Sequence, residues 1–193
     1  MSTIMLDTTT LEILPDESPE NPRDWDHLGT MACWHRRYAL GDKHEYRDPQ
    51  AFSRDINAGN AVILPLYLFD HSALTLSTDC ESFRGIDLQG WDWGQVGYVY
   101  VTLEDVRRKY GVRRVTRQVR ECVLAHLRSE VAVYNQYLQG DVYGFVLKDR
   151  TTGEVFDSCW GFYGENPWQN GMAECLPADI REQVLSYFHR DAA

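Results

Sequence analysis

The residues best equipped for chemistry gather between positions 70 and 95. Asp70-His71-Ser72, Asp79-Cys80 and Trp91-Asp92-Trp93-Gly94-Gln95 supply an imidazole, carboxylates, a hydroxyl, a thiol and an amide. A general base needs an imidazole whose tautomer is held by an acid. Adjacent residues of a strand face opposite ways, so Asp70 is a poor partner for His71 and Asp92 is the expected orienter. With Ser72 or Cys80 as nucleophile, these residues would make the triad of a small hydrolase. They also have a plain structural use: His71 and Ser72 in turn hydrogen bonds, Trp91 and Trp93 over a core edge. On a binding surface, Trp91 and Trp93 would be the aromatic contacts.

Three other constellations compete with that one. Cys33, His35 and His44 contain a Cys-x-His step that could place two metal ligands on one strand face. The paired short spacings of a zinc site are missing, so no metal is expected. Arg107, Arg108, Lys109, Arg113, Arg114, Arg117 and Arg120 form a basic island with no acid between its ends. They fall on a short helix, a turn at Gly111 and a longer helix, an outline resembling a helix-turn-helix. Arginine-rich faces suit phosphate through bidentate pairing, so nucleic acid is a candidate partner there. The alternative is a solvated face pairing internally with acids. Finally, Asp16, Glu17, Glu20, Asp24 and Asp26 crowd a segment in which Arg23 is the sole base. Spaced carboxylates can occupy a basic groove built for phosphates.

These residues must be carried by a framework, and composition bounds it. The 193 residues fit one domain, read as an irregular arm over 1–22 and a single domain over 23–193. With 44% hydrophobic and 25% charged residues the chain can build an ordinary core. The net charge of −10 is segregated: residues 1–50 hold ten acids to five bases, residues 101–150 six to ten. Five dispersed cysteines without CxxC suit free thiols. No basic-then-apolar leader and no run of about 20 apolar residues is visible, so the expected location is a cytoplasm and no membrane partner is expected. P-loop, GxGxxG, HExxH and GxSxG motifs are absent, and no cofactor is expected.

Periodicity predicts an α+β fold, a mainly antiparallel sheet with two to four helices packed on it. Strands are expected at 11–14, 30–34, 61–69, 73–77 and 96–101, with a hairpin of 141–149 and 154–163. Helices are expected from Pro49 behind Asp48, from Thr102 to Tyr110, and from Thr116 to Gly140. Val119, Val123, Leu127, Val131, Tyr134 and Leu138 make one apolar stripe on the last of these. A final helix behind Pro177 should turn Ile180, Val184, Leu185 and Phe188 inward.

Asp70-His71-Ser72-Ala73-Leu74-Thr75-Leu76-Ser77-Thr78, then Trp91-Asp92-Trp93-Gly94-Gln95-Val96-Gly97, resemble segments of a group of uncharacterised proteins from tailed phages and plasmids. The likeness extends to Asn21-Pro22-Arg23-Asp24-Trp25 through Gly29-Thr30-Met31, and to a strand and helix like Val99 to Gly111. It spans about residues 20–165, with Ala73 where the group has glycine. The resemblance implies a mobile-element origin. It carries an expectation by association: an accessory protein that binds a host protein of a nucleic-acid-handling defence system, of restriction or CRISPR type, and interferes with it.

Overall fold

The computed structural model describes residues 2–87 and 89–191. The chain is α+β, with two four-stranded antiparallel sheets. It divides into two compact units, one of Asn21–Gln139 and one of Met1–Glu20 with Gly140–Ala193.

In the 21–139 unit the strands are β3 (Thr30–Cys33), β4 (Ala61–Asp70), β5 (Leu74–Ser77) and β6 (Trp93–Thr102), ordered β3-β6-β4-β5. Three helices belong to this unit: α1 (Pro49–Asp55), α3 (Leu103–Tyr110) and α4 (Arg117–Gln139), with a single turn, α2 (Glu81–Arg84), before β6. The apolar stripe of α4 lies on the sheet: Val123, Leu127, Val131 and Tyr134 are buried with Met31, Val62, Leu66, Leu68 and Val99, and Val119 and Leu138 pack at the margin. Each such side chain contributes on the order of 1.5–3 kcal/mol by leaving water. Alternation along β6 sends Tyr98 and Tyr100 the other way, onto Phe52 of α1, whose ring stacks on Tyr98 at 5.0 Å.

The local signals explain the helix ends. Asp48 accepts from the Ala51 N–H at 2.7 Å and Pro49 follows it. Thr102 and Asp105 exchange hydrogen bonds, 3.1 Å from the Asp105 N–H and 2.6 Å from the Thr102 hydroxyl. Gly111 ends α3 in the left-handed region, φ 63°. Pro65 lacks a ladder N–H and suits an unpaired flank of a strand. It lies where β4 has no ladder on the β5 side, since β5 pairs only with Tyr67–Asp70.

The second unit contains β1 (Ser2–Met5), β2 (Thr9–Pro15), β7 (Val142–Asp149) and β8 (Val155–Tyr163), in the order β1-β2-β7-β8, with α5 (Met172–Cys175) and α6 (Ala178–Asp191). Leu11, Phe145, Leu147 and Phe162 meet Met172, Leu176, Ile180 and Val184 in its core. The Trp160 ring lies over Gly144, where an added Cβ would come within 2.1 Å of it.

Several expectations are corrected. Residues 1–22, expected as an irregular arm apart from a strand at 11–14, supply β1 and β2, and β2 pairs with β7. β6 begins at Trp93 instead of Val96, extended by pairing with Leu68 and Phe69. Leu185 is 40% exposed, not inward, while Ile180 and Val184 are buried. The Phe188 side chain lies outside the described residues.

Candidate functional site

The site forms where β4 leaves the sheet and β6 enters it. The β4–β6 ladder continues past Trp93 through a 2.7 Å bond from the Asp70 N–H to the Asp92 carbonyl, so the two loops start from one fixed point. Pleating then separates Asp70 from His71. Asp70 accepts from Arg37 and from the Tyr38 hydroxyl at 3.3 Å, which ties the 35–38 loop to the strand. His71 turns to the opposite side, stacks on Phe69 at 5.9 Å, and its Nδ1 meets Asp92 Oδ2 at 3.0 Å. With Nδ1–H donating to the carboxylate, Nε2 keeps its lone pair, the tautomer a general base requires.

Asp87 builds the loop that carries Trp91 and Asp92. Its carboxylate accepts backbone N–H bonds from Asp92 at 2.9 Å, Gln89 at 3.0 Å and Gly90 at 3.1 Å. These donors, the Asp92 amide foremost, hold the Asp87 carboxyl below its ordinary range. Val96 is the extra residue where pairing shifts from Leu66–Gly97 to Tyr67–Gln95. This bulge brings Gly94 onto the Leu68 face of the sheet, and nothing lies within 4 Å of the Cβ it lacks.

Open space over Gly94 is the floor of a cleft of about 580 Å³, walled by Trp34, Arg36, Arg37, Trp91, Asp92 and Trp93. Trp91 is 84% exposed. A second cleft, about 830 Å³, shares Trp34, His35 and Arg36 with the first and continues past Tyr38, Lys43, His44 and Arg47. Trp34 is fixed between them by its Nε1–H donating to the Tyr46 carbonyl at 3.0 Å.

The structure brings together only part of the hydrolase set. His71 and Asp92 are in contact; Ser72 is exposed in the β4–β5 turn, and Cys80 lies by the Tyr67 hydroxyl, whose pKa burial and this neighbour push upward. Among the described residues no three His, Cys, Asp or Glu side chains converge as a metal site. Cys33 is unsuited to ligation or attack: burial, then the Asp42 charge, push its thiol up to about 12. His44 Nε2 donates to the Cys33 carbonyl at 3.1 Å, and its Nδ1 is buried without a partner.

The basic island is partly spent on its own helices. Arg108 pairs with Asp105, Arg117 with Glu121 at 2.9 Å, and Lys109 with Asp26 at 3.4 Å. Arg107, Arg113 and Arg114 are exposed and make no ion pair among the described residues. The acidic run is divided between the units: Asp16, Glu17 and Glu20 belong to one, Asp24 and Asp26 to the other. Glu17, Glu20, Asp24 and Asp26 are exposed; Asp16 accepts from the Ser18 N–H at 3.0 Å.

Sequence reasoning missed a buried polar cluster in the 21–139 unit, centred on Arg23. Arg23 is 7% exposed. Its Nε and Nη2 donate to the two Asp42 oxygens at 2.8 and 2.6 Å, Nη2 also to the Gly29 carbonyl at 2.6 Å, and Nη1 lies 3.4 Å from Glu130. Burial opposes the charge on Arg23, but the bonds and charges of Asp42 and Glu130 prevail and raise its pKa. One signal was available: Glu130 falls three residues after Leu127, beside the buried stripe of α4. The chain matches no protein-family model, no curated protein and no solved structure.

Proposed function

We propose that the chain is a phage- or plasmid-encoded accessory protein that binds a component of a host nucleic-acid-handling system and interferes with it, acting by occupancy and not by turnover. The observation that carries this reading is the aromatic and cationic cleft over Gly94, with Trp91 84% exposed at its rim. Exposed tryptophan beside arginine is the composition of energetically dominant binding contacts. The resemblance of the 70–78 and 91–97 segments to phage and plasmid proteins supplies the biological setting, and those segments flank the cleft. No helix of the described residues is long and apolar enough to cross a membrane, in keeping with partners outside the bilayer.

Affinity capture from bacterial lysate tests this. Wild-type protein should recover an identified nuclease, restriction or CRISPR component, and Trp91→Ala should lose it. Recovery of no such component counts against the proposal. A second reading, a hydrolase, is favoured by the 3.0 Å contact of His71 with Asp92. It requires turnover of ester or phosphoester substrates that His71→Ala abolishes, and the absence of such turnover removes it.

A further inference from the structure

We infer that the two adjoining clefts of the 21–139 unit form a groove for single-stranded nucleic acid. The inference rests on the recognition surface proposed above and assigns its cleft to the single-stranded nucleic acid that the host component carries.

Three features specify the ligand's chemistry. The first is unspent positive charge. Arg36, Lys43 and Arg47 line the clefts, are exposed, and make no ion pair among the described residues. The carboxylates of the same linings are engaged elsewhere, Asp42 by Arg23, Asp70 by Arg37, Asp92 by His71 and Asp48 by the Ala51 N–H, which leaves these three cations to meet an anionic ligand. Arg37, by contrast, is held by Asp70 and sits over the Tyr38 ring at 5.3 Å, so it shapes the wall. The second feature is flat aromatic surface. Trp91 stands exposed in the lining of the first cleft, and Trp34, half-buried against His44 and Phe52, belongs to the same lining. Tyr38 lines the second, its ring already covered by His35 at 5.0 Å and by Arg37. Aromatic faces interleaved with cations are how proteins hold unpaired bases and their backbone together. The third is shape. Reading of duplex DNA requires a helix or ribbon that projects into a groove of the nucleic acid. Here the surface is concave, floored by a glycine on β6, and admits a ligand.

Two linked clefts of about 580 and 830 Å³, sharing Trp34, His35 and Arg36, distinguish a strand from a free nucleotide. Each is within the size range of about 300–1,000 Å³ that takes one small ligand. Bordered by the same three residues, they suit consecutive nucleotides of one chain, with a base against Trp91 and phosphates towards Arg36, Lys43 and Arg47.

Fluorescence anisotropy with the whole chain decides the matter. The probes are a labelled oligothymidylate of about twenty nucleotides, long enough to exceed the footprints typical of single-strand sites, the same sequence as a duplex, and thymidine monophosphate. The expected result is strand binding that weakens steeply with salt, quenches tryptophan emission, and exceeds duplex and mononucleotide binding. Trp91→Ala should lower affinity about 5- to 100-fold, the range for one lost base stack. Arg36→Glu with Arg47→Glu should remove binding, whereas Arg113→Glu with Arg114→Glu should leave it unchanged. Trp91 is so exposed that its replacement leaves the fold intact, which keeps the test valid if the double charge reversal does not fold. No strand binding at low salt overturns the inference. So does binding that survives Trp91→Ala but falls with the Arg113 and Arg114 pair, which assigns it to the basic helices. Equal binding of the mononucleotide overturns the strand assignment. Capture of a host component without strand binding would leave the proposed function standing and this inference refuted.

Discussion

Arg23→Met is the most informative perturbation of the fold, because it removes one buried charge and leaves two. Asp42 and Glu130 keep side-chain exposures of only 12% and 11%. Breaking a buried pair by deleting one partner costs about 3–5 kcal/mol, because the remaining charge stays desolvated. The structure places this case near the lower end. Asp42 still accepts from the Met31 N–H at 2.7 Å, and Glu130 from the Leu28 N–H at 2.6 Å and the Gly29 N–H at 3.1 Å. A loss of about 3 kcal/mol follows. The control is Arg117→Met, whose pair with Glu121 is 93% and 61% exposed and is worth at most about 1 kcal/mol. Urea unfolding followed by tryptophan fluorescence separates them. With a slope of about 1–3 kcal/mol per molar, the Arg23 variant should unfold roughly 1–3 M earlier than wild type. A midpoint no lower than that of Arg117→Met would refute the assignment of Arg23 as the tie between the 21–31 segment, the 40–44 loop and α4.

Further expectations come from individual contacts. A Cβ on Gly97 would stand 2.1 Å from the Ala32 carbonyl oxygen and 2.9 Å from Cys33 Cα, so Gly97→Ala should part β3 from β6 and destabilise by more than about 2 kcal/mol in thermal or urea unfolding. Gly94→Ala meets open space and should change stability by less than about 0.5 kcal/mol, while Gly94→Leu should block the cleft with the fold intact. The Cys33 thiol, pushed up to about 12, should resist alkylation at pH 8 while exposed Cys122 reacts. Its folded-state value exceeds the ordinary 9.0, so its contribution is complete below about pH 9 and is lost as pH rises towards 12, by up to about tenfold in the folding equilibrium per pH unit. Cys33→Val should flatten that part of the stability profile. Asp87 has the opposite sign: its stabilisation of the 87–92 loop is complete above the ordinary 3.8 and lost as pH falls through its lower folded value. Nuclear magnetic resonance of the Trp91 indole should therefore report loosening only in strong acid, and Asp87→Ala should loosen the loop at neutral pH.

Residue types and spacing made the 21–139 unit largely legible. Capping signals at Asp48 and Thr102, the glycine stop at Gly111 and the stripe from Val119 to Leu138 are local, and each marks an element where it stands. The pairing of His71 with Asp92 was also readable, because pleating alone excludes Asp70. Long-range pairing was not. A strand at 11–14 was readable, but nothing within residues 1–22 announces that β2 pairs with β7 at the other end of the chain. The same limit hid the Arg23 cluster, whose members are scattered in sequence and joined only by the fold. The cleft was half visible: Trp91 and Trp93 stood out, but Trp34 and Arg36 join them only because the fold ties the 34–38 loop to Asp70 at the end of β4.

The central claim, interference by binding at the cleft, is tested most directly by its biological effect. Unmodified plasmid is introduced into a restricting or CRISPR-targeting bacterial strain that expresses the protein, and surviving transformants are counted. The account predicts that wild type and His71→Ala both raise survival, and that Trp91→Ala, expressed at the same level, does not. Protection that persists in Trp91→Ala but vanishes in His71→Ala would contradict it and point to the His71–Asp92 pair as a catalytic site.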